Sequence, residues 1–325
     1  MARAENQKSK ILYLKKLLEE QSDEEHPLSA QTLIDKLDAL GIPAERKSIY
    51  ADIACLQEFG MDILLKRGAS GGYYLASREF ELPEIKLLID AVQSSRFLSE
   101  RKSAELSEKL SSLVSQSQRK ALRRQTVLSG RIKSMNESVY YNVDSLHEAI
   151  AANSQIRFRY FDWTLKAERC YRPGVYTASP YALYWDNEYY YLIAHSERHG
   201  LTHFRVDKMT SISQTGQPRF FESKNGLPDL SQYGKSVFGM FSGKKEKVKL
   251  RFHNSLTGVV IDRFGRDALL IPDGDEHVLF TADITVSPTF FGWLSGFGGR
   301  AKILWPESVQ REYMELCKLN LSQYE

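Results

Sequence analysis

Cysteine is scarce in this chain of 325 residues, and long apolar runs are missing. Its three cysteines, Cys55, Cys170 and Cys317, stand far apart and follow no metal-binding or redox spacing, so we expect no disulfide framework and a reducing compartment. No stretch approaches the roughly 18 apolar residues of a membrane span, and the polar first residues lack the apolar core of a secretion signal. The sequence therefore predicts a cytoplasmic protein with no membrane partner.

A surplus of charge is also missing, because 44 basic and 41 acidic residues leave a net charge of only +3. This balance argues against a protein that coats nucleic acid through overall basic charge, so any anion binding must be local. The composition, 42% hydrophobic and 26% charged, is that of ordinary folded domains. The length predicts two or three of them.

The first part of the chain predicts three helices and a hairpin. Ser29 is a candidate N-cap of the second helix, and Gly41 is expected to close that helix. A third helix is predicted over 45–58, and strands over 62–66 and 72–76 enclose a glycine-containing turn. This order is typical of a winged helix-turn-helix domain.

The rest of the chain divides into regions with different residue patterns. Residues 82–133 have helical spacing with almost no proline or glycine, which predicts helices that link domains and form a dimer, or a solvated linker without a partner. Beyond Tyr140, aromatic and β-branched residues alternate with polar ones, which predicts a small antiparallel β domain. A second β-rich module follows residues 243–247 and ends in a helix over 306–319. Within it, we interpret "GWLSGFGG" (292–299) as a backbone turn, because it lacks the Lys-Ser/Thr pair of a phosphate loop.

The third helix offers a face suited to DNA. With Ile49, Ile53 and Leu56 directed inward, small alanines and polar side chains lie on the opposite side. Side chains there and at the hairpin turn could contact base edges or phosphates. The candidate DNA-binding residues are Arg46, Lys47, Ser48, Tyr50, Lys66 and Arg67. The alternative is that they are solvated charges on an ordinary helical domain.

Several motifs together resemble one family. "ERKSIYADIACLQEFG", "GGYYL" and "SPYALYWDNEYYYLIAHSERHGLTHFRVDKM" are similar to the bacterial WYL-domain transcriptional regulators, and "FGMFSGKKEKVKLRF", "VVIDRFG" and "FFGWLSGFGGRAKILWPESV" resemble the WCX-type C-terminal extension of that family. The resemblance implies an α+β multidomain protein. Its expected parts are a winged helix-turn-helix domain (1–78), a helical linker and dimerisation region (79–138), a WYL domain built as a small antiparallel β barrel of Sm or SH3-like type (139–215), and an α/β extension (244–325).

The resemblance also implies that the WYL domain binds a nucleic-acid-like ligand and signals to the DNA-binding domain. Aromatic rings stack on bases and basic side chains neutralise phosphate, so the tyrosine-rich motif suits such a ligand. The candidate ligand-binding residues are Ser179, Tyr181, His203, Arg205 and Lys208. Arg205 is the preferred anion anchor, and Lys208 joins it only if the backbone turns there. The alternatives are that part of the tyrosines pack in the core and that Arg205 merely pairs with Asp207.

The chain departs from the family pattern at three positions. The triplet that names the family reads Tyr190-Tyr191-Leu192, and Lys208 stands where relatives often have arginine. Lysine keeps the charge but loses the planar fork that binds phosphate through two hydrogen bonds. Ala51 replaces an arginine frequent in the third helix, which removes one expected DNA contact.

Metal and catalytic chemistry find little support in the sequence. His195, His199 and His203 are spaced by four, but "SERHG" indicates a turn rather than a helix, so no metal site is predicted. No cofactor and no catalytic arrangement can be argued from the residues, and we expect a regulator rather than an enzyme. The expected partners are double-stranded operator DNA, a single-stranded nucleic acid or nucleotide effector, and a second copy of the chain. The alternatives are a nucleic-acid-processing enzyme or accessory subunit tethered by the winged helix, and a regulator whose WYL domain serves only in dimerisation.

Overall fold

The chain forms two compact units, Met1–Glu137 and Ser138–Glu325. The computed structural model describes residues 2–68, 70–125, 133–220, 230–241 and 243–325. Within these stretches it is a mixed α+β protein with several sheets. None of the helices that the structure describes has both the length and the apolar character needed to cross a membrane.

The first unit contains helices and one hairpin in the predicted order. Its elements are α1 (Ala2–Gln21), α2 (Ala30–Asp38), α3 (Arg46–Glu58), β1 (Ile63–Lys66), β2 (Gly72–Leu75), α4 (Leu82–Ser94), α5 (Glu100–Ser111) and α6 (Gln116–Gln125). Ser29 caps α2 as predicted, because its hydroxyl accepts the Thr32 N–H at 3.0 Å. Gly41 closes this helix as predicted. With a φ of 74° it donates its N–H to the Asp38 carbonyl at 2.8 Å, and the Ile42 N–H donates to the Leu37 carbonyl at 2.9 Å.

The first three helices and the hairpin share one apolar core. Leu14, Leu33 and Ile49 are completely buried in it, one from each helix. The hairpin is fastened by Leu28, whose backbone exchanges two hydrogen bonds of 2.8 Å with Tyr73 in β2. This pairing brings Gly72 so close to Leu28 that a Cβ on Gly72 would overlap the Leu28 carbonyl group. Glycine is therefore required at that position by a close backbone approach.

A buried carboxylate joins the loop after α1 to the start of α6. Asp23 accepts hydrogen bonds from the His26 ring at 2.8 Å and from the Ser115 hydroxyl at 2.5 Å. Ser115 also accepts the Gln118 N–H at 3.1 Å, so it caps α6 while it contacts Asp23. Burial alone would raise the pKa of Asp23, but the hydrogen bonds from Ser115 and His26 and the charge of His26 lower it. The carboxylate thus stays ionised where the helix dipole favours a negative charge.

The second unit begins with a helix against a curled six-stranded sheet. Its elements are α7 (Val139–Ala151), β3 (Ser154–Trp163), β4 (Arg169–Tyr171), β5 (Tyr176–Asp186), β6 (Tyr189–Ser196), β7 (Gly200–Arg205) and β8 (Met209–Pro218). The strands follow the order β4-β3-β5-β6-β7, and β8 pairs with β3, all antiparallel. The antiparallel β domain predicted from alternation is confirmed. The sequence analysis missed α7, which packs Leu146 and Ala149 on the sheet.

The chain continues into a second, four-stranded sheet with its own core. Its elements are α8 (Leu230–Ser236), β9 (Lys244–His253), α9 (Thr257–Phe264), β10 (Ile271–Asp273), β11 (His277–Val286), α10 (Pro288–Ser295), β12 (Ala301–Trp305) and α11 (Glu307–Leu321), with strand order β10-β11-β9-β12. The prediction that 292–299 is entirely a turn is wrong, since the first half belongs to α10. Ser287 caps α10 by accepting the Phe290 N–H, and the burial of Phe290 and Leu294 stabilises it.

We expect Gly72→Ala to lower the free energy of unfolding of the first unit by about 1–3 kcal/mol, because the added methyl group has to displace backbone. Thermal unfolding of the full chain followed by circular dichroism measures this. Gly258→Ala in α9 is the control, since a Cβ there meets nothing within 4 Å. Identical melting curves for Gly72→Ala and the wild type would contradict the close approach to Leu28.

Candidate functional site

The outer face of α3 is exposed, as the sequence predicts. Ile49, Ile53 and Leu56 are buried, and on the other side Arg46, Lys47, Tyr50, Ala51 and Ala54 face solvent. Ser48 is half-buried, and its hydroxyl donates to the Glu45 carbonyl at 2.8 Å. The helix thus presents two basic groups and a phenol beside two small alanines. Such a surface permits the close approach that a DNA groove requires.

Two tyrosines connect this helix to the hairpin. The ring centroids of Tyr50 in α3 and Tyr73 in β2 lie 6.2 Å apart and tilted by 54°. Burial raises the pKa of Tyr73, with a smaller contribution from the charge of Tyr50. Tyr50 is still 44% exposed, so part of its side chain remains accessible. An aromatic contact therefore positions one candidate DNA-binding residue against the hairpin.

The two basic residues of the hairpin differ in what they contact. Lys66 donates from Nζ to the Glu24 carbonyl oxygen at 2.8 Å, which fastens the end of β1 to the loop after α1. Arg67 is exposed in the turn that follows. Lys66 therefore has a structural role beside any contact to phosphate.

The second candidate site lies where β7 ends. Arg205 is the last residue of that strand, and residues Val206–Lys208 form a single 3₁₀ turn. Within this turn, Asp207 accepts two hydrogen bonds from the Arg205 guanidinium, at 3.1 Å from Nε and 2.8 Å from Nη2. The side chain of Asp207 is only 9% exposed, whereas that of Arg205 is 31% exposed. The pairing of Arg205 with Asp207 that the sequence left as an alternative is therefore present.

An aromatic ring lies under the same guanidinium. The Arg205 Cζ atom lies 3.7 Å from the centroid of the Tyr189 ring, a cation–π contact. Burial alone would lower the pKa of Arg205, but the hydrogen bonds and charge of Asp207 raise it above its ordinary value. Arg205 thus keeps its charge. Asp207 fixes the guanidinium through hydrogen bonds in its plane, and the Tyr189 ring fixes it from one face.

The Tyr160 hydroxyl lies against the backbone at this point. It accepts the Arg205 backbone N–H at 3.2 Å, and burial raises the pKa of Tyr160 to about 12. The Arg172 guanidinium lies 5.1 Å from the centroid of the Tyr160 ring. Tyr160 therefore stays a neutral phenol that connects the end of β7 to the adjoining basic group.

Lys208 is brought to the same side by the 3₁₀ turn. Its Nζ donates to Asp162 Oδ1 at 2.9 Å, and the other oxygen of Asp162 accepts from Arg172 at 2.7 Å. These hydrogen bonds, from Arg172 first and then Lys208, lower the pKa of Asp162 to about 2. Two cations on one carboxylate leave one positive charge in excess, so this cluster can attract an anion.

The three other predicted ligand residues are buried or form hydrogen bonds within the protein. Ser179 is 1% exposed and accepts the Phe220 N–H at 2.9 Å, while Tyr181 is 4% exposed in an apolar cluster. His203 uses both ring nitrogens, one on the Met240 carbonyl and one on the Tyr233 hydroxyl. Of the predicted set, Arg205 and Lys208 keep partly exposed charged groups, each paired with a carboxylate.

The histidines of the tyrosine-rich segment do not share a face in the way a helix would arrange them. His195 lies in β6, His203 in β7 and His199 in the turn between, as the sequence analysis expected. Within the described parts of the chain, no group of three or more His, Cys, Asp or Glu side chains could hold a metal ion.

Several members of the Arg205 site could not be identified from the sequence. Tyr160 and Asp162 lie on β3, far from β7 along the chain, and reach the site because Tyr160 pairs with Met209 across β3 and β8. Arg172 directly follows β4. The alternation of β3 places positions 160 and 162 on one face, but the register against β8 includes bulges that no spacing reveals.

Comparison with known proteins agrees with this architecture. The family model of the WYL domain matches residues 141–214, and that of the WCX domain matches residues 244–318. No curated protein matches the sequence. Among solved structures, the chain is similar to Proteasome accessory factor B/C (PafBC) of Arthrobacter aurescens, with 19% identity and a TM-score of 0.29 over 98% of this chain.

This chain spans about half the length of that protein, since the similarity covers 49% of it. A CRISPR Cas-related protein is 14% identical with a TM-score of 0.38, over 74% of this chain and 72% of that one. The matched family models include the curled sheet with the Arg205 site and the four-stranded sheet that follows. The protein therefore carries a WYL domain followed by a WCX domain, as the resemblance in its sequence predicts.

Proposed function

We propose that this protein is a ligand-responsive, DNA-binding transcriptional regulator. The observation that carries the proposal is the Arg205 site, a partly exposed guanidinium stacked on Tyr189 within the WYL domain, on the same chain as a helix with an exposed basic and aromatic face. The proposed domains are a winged helix-turn-helix (1–78), a helical linker (79–138), a ligand-sensing WYL domain of Sm or SH3-like barrel type (139–215) and a WCX extension (244–325).

The DNA-binding part of the proposal rests on α3 and the hairpin. In a winged helix-turn-helix, one helix enters the major groove and the hairpin lies beside it. In α3, Lys47 and Tyr50 are exposed and close to two alanines, which suits contact with base edges, while Arg46 and Arg67 suit contact with phosphates.

The ligand-sensing part rests on how Arg205 is held. Asp207 occupies Nε and Nη2, so we propose that a ligand uses the remaining N–H groups and the face of the guanidinium opposite Tyr189. A planar base suits that face, and a phosphate suits the cations Lys208 and Arg172 nearby. We therefore propose a nucleotide or a short single-stranded nucleic acid as the effector. Ser179, Tyr181 and His203 are not part of this proposed site, since their polar groups or their burial serve the fold.

A second candidate is a regulator whose WYL domain has only a structural role. The observation that favours it is the closed pair of Arg205 and Asp207, in which the buried carboxylate already neutralises the guanidinium. Binding of an oligonucleotide to the wild type and to Arg205→Ala distinguishes the two candidates.

We expect Lys47→Ala and Tyr50→Ala each to weaken binding of the operator by about 1–3 kcal/mol, because each removes a side chain proposed to contact a base. The operator is obtained by sequencing DNA crosslinked to the protein, and affinity is measured by gel shift. Lys318→Ala, an exposed lysine of α11, is the control and should bind as the wild type does. Unchanged affinity for both variants would remove α3 as the reading helix.

We expect the wild type to bind an oligonucleotide of about ten thymidines, and Arg205→Ala to bind it roughly tenfold or more weakly, since a hydrogen bond to a charged group is lost. Fluorescence anisotropy measures the affinity. Arg205→Lys keeps the positive charge but lacks the planar guanidinium. It is included because Arg205→Ala removes the cation that pairs with the buried Asp207 and could destabilise the domain. Arg198→Ala, exposed in the turn between β6 and β7, is the control. Equal binding by wild type and Arg205→Ala, or none by either, would favour the structural role.

We expect the protein to be a dimer at micromolar concentration. Two recognition helices held about one helical turn apart are needed to read a pseudo-palindromic operator. Light scattering on the full chain should give twice the mass of one chain, and a single-chain mass with and without operator DNA would contradict this.

A further inference from the structure

The segment between the two matched domains is fastened to the sheet of the WYL domain through one histidine. We call residues 233–241 the strap. His203 in β7 donates from Nδ1 to the Met240 carbonyl at 2.8 Å, and its Nε2 accepts from the Tyr233 hydroxyl at 2.5 Å. Burial lowers the pKa of His203 and raises that of Tyr233 to about 12. A neutral imidazole with one donor and one acceptor nitrogen matches these two partners.

Apolar contacts cover the same face of the sheet. Val237 and Met240 of the strap are buried with Tyr181 and Ile193 in one cluster. At Gly234, a Cβ would overlap the hydroxyl of Tyr184, so the strap packs directly against this side chain of β5. The tyrosines of β5 and β6 on this face are thus covered by the protein's own chain.

The opposite side of the strap belongs to the WCX domain. Phe238 is buried in the core of that domain, and its carbonyl accepts the Thr289 hydroxyl at 2.6 Å. Arg263 in α9 donates to the Val237 carbonyl at 2.5 Å, and its Cζ lies 4.2 Å from the Phe238 ring centroid. Consecutive residues of the strap therefore contact different domains: Val237 packs on the WYL sheet and Phe238 in the WCX core.

The strap lies beside the Arg205 site. His203 and Arg205 are two residues apart on β7, so their side chains share a face. Tyr191 pairs with Arg205 across β6 and β7, and it also packs against the cluster that contains Val237 and Met240. A change in the position of Arg205 or of the tyrosines around it therefore has a short physical route to the strap.

We infer that the strap is the element that couples occupancy of the Arg205 site to the WCX domain, and that His203 is the residue that positions it. The coupling rests on the proposed ligand-sensing function, while the positioning by His203 does not. A ligand that stacks on Arg205 favours one arrangement of β6 and β7, and the strap passes the difference to α9 through Arg263. The effector then acts on the WCX domain without touching it.

The test compares His203→Asn and Tyr233→Phe with the wild type by hydrogen–deuterium exchange on the full chain. Asparagine can still donate to the Met240 carbonyl but cannot reach Tyr233, and phenylalanine removes only the hydroxyl. Both variants should raise exchange at the strap amides of Val237 and Phe241 about fivefold, as expected when one hydrogen bond is lost. They should also raise exchange at Gly265, which ends α9. His199→Asn, an exposed histidine of the adjacent turn, is the control and should leave all three unchanged.

The same exchange measurements are repeated in the presence of the oligonucleotide of about ten thymidines. In the wild type it should alter exchange at the strap and at α9, and in His203→Asn it should still bind within about threefold but no longer alter α9. Binding without any change in α9 of the wild type would overturn the coupling while the proposed function stands. If the wild type binds no oligonucleotide, the proposed effector class fails. The ligand-free variants then decide the positioning role, which an unchanged Gly265 in both of them would overturn.

Discussion

The ion pair of Arg205 and Asp207 is the interaction on which the geometry of the WYL domain's candidate site depends. Asp207 is nearly buried, a buried carboxylate without a partner is strongly unfavourable, and the guanidinium supplies it with two hydrogen bonds. The 3₁₀ turn after β7 makes this reach possible, and the same turn directs Lys208 toward Asp162. One turn of backbone thus sets the positions of both cations. The pair has a second effect, because it removes the edge of Arg205 that would otherwise bind a phosphate through two hydrogen bonds.

The tyrosine-rich segment is explained by a sheet that is covered on both faces. Tyr190 and Leu192 of β6 point into the core beneath α7, while Tyr191 and Ile193 point toward the strap. Alternation along a strand sends neighbouring side chains to opposite faces, and here each face needs apolar rings. Tyr189, at the start of β6, belongs to neither cluster and lies under the Arg205 guanidinium. Most of the tyrosines that the structure describes in this segment therefore serve packing, and Tyr189 at the edge is the one proposed to meet a ligand.

The sequence predicted those elements that depend on local signals. The N-cap at Ser29, the inward side of α3 and the alternating strands of the β domain follow from spacing and residue type, and the structure has them. The half of 292–299 that is helical was missed, because its glycines hide a helix that burial of Phe290 and Leu294 stabilises. The missed members of the Arg205 site lie on β3 and just after β4, and the register of β3 against β8 includes bulges. Such positions depend on tertiary packing, which cannot be derived from the residue pattern of a single sequence.

Burial of His203 gives the strap its selectivity for one position. Its two ring nitrogens meet one donor and one acceptor that both belong to the strap, so displacement of the strap would break both hydrogen bonds of this partly buried ring. Net loss of one hydrogen bond costs about 0.5–1.5 kcal/mol, so loss of both costs about 1–3 kcal/mol, whereas sliding of the apolar residues alone would cost less, since their contacts carry no direction. Coupling free energies between sites are typically of the same size, about 1–3 kcal/mol. The free energy by which His203 favours the docked strap over a displaced one is therefore of the size that an effector at Arg205 could supply.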